Sequence, residues 1–344
     1  MKRLLIIIMI IAALAAFAAC GAQEEPEAAQ TPVPVSTYDE SASLQDDEGG
    51  EAYTQLEIGF SLAGVGAFYE QLVLDIEREC GEMNYIAHIK TAATVEEQSE
   101  HIRNMLSTGV AVIAIDPVDV DALEQVLAEC ETQNVPVINI IDSINGLVST
   151  LIAPDYISIG KSAGRDAVEL FGSSDGNCMV LKTDYASFTM QLMSDGFLEE
   201  IDKDRDVSLI SEHFCGDDEE SAYFLTKAEL LKEGSDINFI FAQSEAIGRG
   251  ALRAIEELGS DIKMTVFGGD MTLISAVVEG KVHSCIFFGP AQLANETVFY
   301  ADRFVKSESY DPPQYSELRI EAAQGSDADD YSGQGGLHAQ IIGG

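Results

Sequence analysis

The chain has 344 residues, a hydrophobic content of 46% and a formal net charge of −40. The length is too great for one hydrophobic core of ordinary size and predicts two lobes. The strong negative charge excludes nucleic acid as a partner, because the chain offers too little positive charge to neutralise phosphates.

The first 19 residues are typical of a bacterial export signal. Lys2 and Arg3 precede an apolar run from Leu4 to Ala16, and small residues lead to Cys20. The segment "FAAC" resembles the bacterial lipoprotein signal, in which the cysteine becomes the lipidated first residue of the mature chain. We therefore predict a signal peptide over residues 1–19 and lipidation at Cys20, with an uncleaved anchor helix as the alternative. Both predict an extracytoplasmic protein attached to a membrane, at the outer face of the plasma membrane or on its periplasmic side.

Residues 20–54 contain the predicted lipid-anchor cysteine and a spacer. Beyond Cys20 this segment is rich in Glu, Asp, Pro, Ser and Ala, and it contains no Lys or Arg. Such a composition buries too little apolar surface to offset the loss of chain entropy, so we predict a disordered acidic tether. Repulsion between its carboxylates is expected to keep the tether extended.

From Gln55 onward, apolar strand patterns alternate with amphipathic helical patterns. The strands are short and almost continuously apolar, which is typical of parallel sheets covered on both faces. The first set has strands at 55–62, 85–90, 110–117 and 135–141, and helices at 68–83, 95–109 and 120–133. After an extended piece at 148–155, the second set has strands at 177–182, 207–214, 237–243, 263–270 and 284–289, and helices at 157–171, 188–201, 219–233, 245–258, 271–280 and 291–307. Two successive sets predict two doubly wound, Rossmann-like α/β lobes with a cleft between them.

The residues most often used for chemistry do not form a catalytic or metal site in this sequence. Five cysteines beyond Cys20 are an odd number without tight spacing, which predicts buried single thiols. The five histidines lack metal-ligand spacing, and none neighbours an apparent nucleophile. Asp217 and Asp218 precede a predicted helix, where acids cap the N-terminus. We therefore predict a protein that is not an enzyme and that uses no metal and no cofactor.

Six segments, in order and spacing, resemble the type I solute-binding proteins of ABC importers, the ribose- and galactose-binding-protein group. They lie between about residues 56 and 325 and include "IGFSLAGVGAFYEQL", "IAPDYISIGKSAG" and "INFIFAQSEAIGRGALRAIEELG". The resemblance implies two lobes joined by three crossovers near residues 155, 289 and 318, with a ligand in the cleft and hinge closure on binding. It assigns residues 55–155 and 290–317 to the N-terminal lobe, and residues 156–289 and 318–344 to the C-terminal lobe and tail.

The function that the resemblance implies is that of an extracytoplasmic substrate-binding lipoprotein of an ABC importer. Its partners would be the permease subunits, the membrane through the lipid anchor, and a small sugar-like or other neutral or cationic solute. We expect a monomer. The alternative is a sensor lipoprotein that presents its closed form to a membrane kinase or chemoreceptor, because hinge closure serves both roles.

The resemblance also indicates which positions line the cleft. Phe68 and Tyr69 follow the first strand and are expected to stack on ligand, with packing of the first helix as their alternative role. Asp142 follows the fourth strand. Asp155 lies near the first crossover, where it either contacts ligand or caps the next helix. In the second half of the chain, the matching positions are Met193, Ser244, Asp270 and Phe288.

At these positions the chain lacks hydrogen-bond donors that the family's pattern has, and it keeps the acceptors. Amide and guanidinium donors of the family are replaced at Gly66, Met193, Ser244 and Phe288. Carboxylate acceptors remain at Asp142, Asp155 and Asp270. Since each unpaired polar group in a closed cleft is costly, this change favours a ligand that donates hydrogen bonds or carries positive charge. The aromatic residues of the cleft, to which Tyr156 is added, suit such a ligand through stacking or cation–π contact.

Overall fold

The computed structural model describes residues 55–144, 146–183, 188–307 and 309–325. The predicted signal peptide, Cys20, the whole tether and the end of the tail lie outside these described residues. Among the helices that are described, none combines the length and the apolar character needed to cross a membrane.

The described part of the chain contains twelve strands and nine helices. The strands are β1 (Glu57–Leu62), β2 (Ile86–Thr91), β3 (Val112–Ile115), β4 (Val137–Ile140), β5 (Thr150–Pro154), β6 (Gly176–Lys182), β7 (Val207–Phe214), β8 (Phe239–Ala242), β9 (Lys263–Phe267), β10 (Ser284–Phe287), β11 (Tyr315–Leu318) and β12 (Glu321–Gln324). The helices are α1 (Ala67–Glu82), α2 (Val95–Thr108), α3 (Glu124–Thr132), α4 (Tyr156–Phe171), α5 (Phe188–Ile201), α6 (Glu219–Leu230), α7 (Glu245–Leu258), α8 (Met271–Val278) and α9 (Pro290–Lys306).

The strands form two six-stranded sheets, one in each lobe. The first sheet has the order β11-β5-β4-β3-β1-β2, and all of its neighbouring strands are parallel. The second has the order β12-β10-β9-β8-β6-β7, and it is parallel except where β12 pairs antiparallel with β10. The predicted fold class, two doubly wound α/β lobes, is confirmed.

Helices cover both faces of each sheet. In the first lobe, α1 and α9 pack on one face, and α2 and α3 pack on the other. In the second lobe, α4 and α5 pack on one face, and α7 and α8 pack on the other. Because the central strands are buried on both sides, they carry nearly continuous apolar runs instead of an alternating pattern.

The chain passes between the lobes three times. It leaves the first sheet after β5, and the next helix, α4, packs in the second lobe. It returns after β10, because α9 packs against the first sheet. Only Arg319 and Ile320 separate β11 in the first sheet from β12 in the second. These passages lie close to the crossovers that the resemblance implies, and they frame the space between the lobes.

Two elements differ from the sequence prediction. Helix α3 begins at Glu124, later than the predicted residue 120, because the preceding residues form a turn in which the Asp121 N–H donates to the Asp119 carboxylate at 2.9 Å. The segment "YSELRIEAA", to which no strand was assigned, supplies β11 and β12. The prediction of buried single thiols is confirmed, since Cys80, Cys130, Cys178, Cys215 and Cys285 are buried and unpaired.

Candidate ligand-binding site

A cavity of about 1070 Å³ lies between the two lobes. Its walls are the loops that follow β1, β3 and β4 in the first lobe and β6, β7, β8, β9 and β10 in the second. Ligands bind at this edge of open α/β sheets, outside the carboxyl ends of the strands. The volume is large enough for a small organic molecule.

Asp116 is a buried carboxylate at the end of β3 on the first-lobe side of the cavity. It is 3% exposed, and its Oδ2 accepts hydrogen bonds from the Tyr69 hydroxyl at 2.8 Å and from the Ala63 N–H at 3.2 Å. Burial raises the pKa of Asp116 to about 7, the nearby Asp142 adds to the rise, and the two hydrogen bonds oppose it. Burial therefore disfavours the charged form of this carboxyl group.

Asp142 lies on a tight turn after β4. The Asp142 N–H donates to the Ile140 carbonyl at 2.9 Å, and Ile141 between them has a φ of 67°. This backbone conformation is unfavourable for a β-branched residue and is characteristic of functional sites. The Tyr156 hydroxyl donates to the Ile141 carbonyl at 3.1 Å, and the Asn139 amide donates to the Asp142 carbonyl at 2.8 Å, so the turn is fixed from two sides. Burial raises the pKa of the Asp142 side chain, while hydrogen bonds lower it.

Ser244 and Glu245 form the second-lobe side, at the start of α7. Ser244 caps this helix by accepting from the Ile247 N–H at 3.3 Å, and its hydroxyl donates to Asp217 at 2.5 Å. Glu245 accepts from the Gly269 N–H at 2.9 Å. Burial, together with the nearby Asp270, raises the pKa of Glu245. The hydroxyl donor of Ser244 is thus already used within the protein.

Arg249 is the basic residue among the described residues of the cavity wall. Its Nε donates to Glu219 at 3.0 Å, and its Nη1 is paired with Asp270. Two carboxylates therefore share one guanidinium, and they more than balance its charge. This arrangement leaves little positive potential for an anionic ligand.

Gln243 contributes an unpaired acceptor to the cavity wall. Its side chain is fully buried, and its Nε2 donates to the Met190 carbonyl at 3.3 Å and to the Ser194 hydroxyl at 2.9 Å. Its Oε1 is buried and has no hydrogen-bond partner in the protein. A buried carbonyl oxygen without a donor is unfavourable, so this position suits a ligand that donates a hydrogen bond.

Five aromatic rings form a continuous series along the cavity from one lobe to the other. Tyr69 and Phe68 lie 5.3 Å apart between ring centroids, and Phe68 lies 5.4 Å from Phe288. Phe288 lies 6.4 Å from Phe267, which in turn lies 6.1 Å from Tyr156. These separations are in the range of favourable ring contacts. The series gives the cavity a long aromatic wall, and its Tyr69 hydroxyl contacts Asp116.

A family model described as "Periplasmic binding protein domain" matches residues 58–309, which is most of the chain. The chain belongs to the periplasmic binding protein family. Proteins of this family bind substrates and do not transform them, in agreement with the prediction that the chain is not an enzyme.

Known relatives of this periplasmic binding protein are distant in sequence and similar in fold. The ribose import binding protein of Haemophilus influenzae is 23% identical over 257 residues, which cover 74% of this chain and 86% of that one. A solute-binding protein of Actinobacillus succinogenes 130z, solved with bound D-allose, has a TM-score of 0.74 at 17% identity, over 80% of this chain and 100% of that one. The arabinose-transporter component of Shewanella sp. ANA-3, solved with L-arabinofuranose, has a TM-score of 0.72 at 17% identity, over 80% and 94%.

The structure brings five of the eight predicted ligand-binding residues of this binding protein to the cavity wall. These are Phe68, Tyr69, Asp142, Ser244 and Phe288. Phe68 and Tyr69 also pack against the core of the first lobe, so the two roles considered for them coexist.

The other three predicted residues do not line the cavity, each for a physical reason. Asp155 caps α4, accepting from the Ile157 N–H at 3.0 Å. Met193 is 0% exposed in the core between α4, α5 and the second sheet, where a ligand does not reach its side chain. Asp270 caps α8 and holds Arg249, so it acts on the cavity through that side chain.

The predicted ligand-binding residues do not include Asp116, Gln243 and Arg249, which also line the cavity. Asp116 and Gln243 each directly follow an apolar strand, a position at the binding edge of a sheet. Arg249 lies one helical turn after Glu245 on α7, and this spacing places both side chains on one face. Within the described residues, no cluster of His, Cys, Asp and Glu is arranged to hold a metal ion.

Proposed function

We propose that the chain is the substrate-binding component of an ABC importer for a small sugar or a sugar-like neutral or cationic solute. The observation that carries this proposal is the cavity between the lobes, which combines a series of five rings with buried acceptors. Aromatic rings stack on the apolar faces of sugars, and acceptors pair with hydroxyl donors. The ribose, D-allose and L-arabinofuranose named for the relatives support a sugar of this size.

The proposed mechanism is hinge closure about the three crossovers. An open form admits the solute, and contacts from both lobes favour the closed form, which docks on the permease. The solute shifts this equilibrium only by its greater affinity for the closed form. Phe68, Tyr69 and Asp142 contact it from the first lobe, and Ser244 contacts it from the second, while Phe288 lies between them at a crossover.

Sugar binding is testable by thermal unfolding of the purified chain with D-ribose, D-allose, L-arabinose and the anionic D-ribose 5-phosphate. At least one neutral sugar is expected to raise the melting temperature, since a ligand at 100 times its Kd adds about 2.7 kcal/mol of stability. Replacement of Phe68 by alanine is expected to weaken that binding by about tenfold, because a stacking ring is lost.

Phe224→Ala is the matched control for Phe68→Ala. Phe224 lies on α6, is 62% exposed and is not part of the cavity wall, so this variant should bind as the parent does. Stabilisation by D-ribose 5-phosphate alone, with no effect of any of the three neutral sugars, would contradict the proposed ligand class.

We also propose that Cys20 carries the lipid anchor and that residues 21–54 hold the binding domain away from the membrane as a monomer. The lipoprotein signal around Cys20 supports this arrangement. In a bacterial host supplied with labelled palmitate, the parent chain is expected to take up label and to sediment with membranes. A Cys20→Ala variant should lose the label, and a parent chain without label would refute lipidation. Presentation to a membrane kinase or chemoreceptor stays the alternative to the importer.

A further inference from the structure

The cavity carries an excess of negative charge that the protein does not neutralise. Four carboxylates lie in its described wall, on Asp116, Asp142, Asp217 and Glu245. The basic partner in this wall, Arg249, is already bound by Glu219 and Asp270. Asp116 is buried and Asp142 and Glu245 are half-buried, whereas Asp217 is exposed. Carboxylates that are withdrawn from water are destabilised unless a positive charge approaches them.

The hydrogen-bonding groups of the cavity wall likewise favour a solute that donates hydrogen bonds. The hydroxyls of Tyr69, Tyr156 and Ser244 donate to Asp116, the Ile141 carbonyl and Asp217. By contrast, the buried Gln243 Oε1 has no donor. The wall therefore has acceptors to offer and few donors, and a solute that fits it must supply the donors. A neutral sugar has hydroxyl donors, but it has no positive charge to balance the carboxylates of the wall.

We propose that the solute carries a protonated amine, and that this ammonium group lies at Asp116 and Asp142 beside the rings of Tyr69 and Tyr156. The solute class is thus an amine-bearing molecule of monosaccharide size, such as an amino sugar. This inference rests on the proposed function, because it takes the interlobe cavity as the solute site.

Asp116 and Asp142, on the first-lobe side of the cavity, suit the ammonium group better than Asp217 and Glu245 on the second-lobe side. On the second-lobe side, Arg249 offsets part of the charge of Glu245. On the first-lobe side, burial raises the pKa of both Asp116 and Asp142, and the nearby Asp142 raises the pKa of Asp116 further. An ammonium donates up to three hydrogen bonds and is attracted to the faces of aromatic rings. Asp116, Asp142, Tyr69 and Tyr156 supply both kinds of contact.

The test compares solutes that differ in one group. Binding of the purified chain is measured by calorimetry with D-glucose, D-glucosamine and N-acetyl-D-glucosamine, and with the corresponding D-galactose series. At least one amino sugar is expected to bind about tenfold or more tightly than its neutral counterpart, and acetylation of the amine should remove the gain. Raising the salt concentration should weaken binding of the amino sugar and leave that of the neutral sugar nearly unchanged.

The Asp142→Asn variant tests whether the Asp142 carboxylate binds the ammonium group. This variant keeps the size of the side chain, and it is expected to lower the affinity for the amino sugar by about tenfold while changing that for the neutral sugar much less. Asp261→Asn is the matched control, because Asp261 lies on the α7–β9 connection with a side chain 95% exposed and outside the cavity wall. Circular dichroism and thermal unfolding of both variants establish that each is folded.

The outcomes separate this inference from the proposed function. Binding of neutral sugars without a preference for their amino counterparts would overturn the inference and leave the sugar-binding function intact. A preference for the amine that persists unchanged in folded Asp142→Asn would overturn the assigned position. Failure of every neutral and amino sugar to bind would overturn both.

Discussion

Asp116→Asn is expected to be more stable than the parent chain at pH 8 and about equally stable at pH 4. In the folded protein, burial raises the pKa of Asp116 to about 7, whereas the unfolded chain has an ordinary carboxyl value. A raised folded-state pKa means that this carboxyl contributes its full stability below the ordinary value and loses it as the pH rises towards 7. Asparagine stays uncharged over this range, so the difference at pH 8 should be about 2 to 4 kcal/mol.

The measurement is the free energy of unfolding by urea for both chains at several pH values between 4 and 8. Asparagine still accepts from the Tyr69 hydroxyl, so the hydrogen bond at this position is retained. Asp261→Asn is the control for general charge effects, because Lys263 lowers the pKa of Asp261 and its loss should bring no gain at pH 8. Parallel pH curves for Asp116→Asn and the parent would show that Asp116 is not a destabilised buried carboxyl.

Gly160→Ala is expected to destabilise the second lobe by about 2 to 4 kcal/mol, although alanine is the better helix former. Helices α4 and α5 cross so closely that a Cβ on Gly160 would lie 1.9 Å from the Met193 carbonyl oxygen and 2.8 Å from the Phe197 nitrogen. Gly196 faces α4 in the same way, with a Cβ 2.2 Å from the Ile157 carbonyl oxygen. Backbone atoms cannot yield as a flexible side chain does, so the helices must move apart.

Gly81→Ala is the matched control, since it makes the same substitution in helix α1 where a Cβ meets nothing within 4 Å. This variant should gain about 0.5 to 1 kcal/mol from helix propensity. Denaturant unfolding of both variants measures the two changes with opposite signs. A Gly160→Ala chain as stable as the parent would refute the close helix contact, and with it the reason that Met193 lies in a core.

The order of strands and helices follows from the sequence because it rests on local patterns. Short apolar runs between amphipathic segments indicated parallel strands covered on both faces. The strands from β1 to β10 are parallel, and those inside each sheet are buried, whereas the edge strands β2 and β7 are partly exposed. The sequence pattern did not predict strands where the segments were very short. The tail strands β11 and β12 are four residues each, and their pairing partners β5 and β10 lie far away in the sequence.

The residues of the cavity were also predicted only in part, because local patterns do not show which distant side chains come together. The resemblance implied that Asp142 and Ser244 line the cleft, and both lie in the cavity wall near the ends of buried strands. Met193 lies in the core, outside the cavity wall, and its position in the sequence does not reveal that α4 packs against it at Gly160. Asp270 was expected to face ligand, but only the folded chain shows that its carboxylate is taken by Arg249, which is 21 residues away.

The sequence by itself determined the two α/β lobes and the acidic character of the chain, since these depend on composition and on the periodicity of neighbouring residues. The tertiary structure alone decided which polar groups are left for a ligand. Asp116 and Asp142, from the ends of different strands, line the same cavity, Arg249 is neutralised, and Gln243 keeps an unpaired oxygen. Pairing and burial arise between residues distant in the chain, and they set the charge of the cavity.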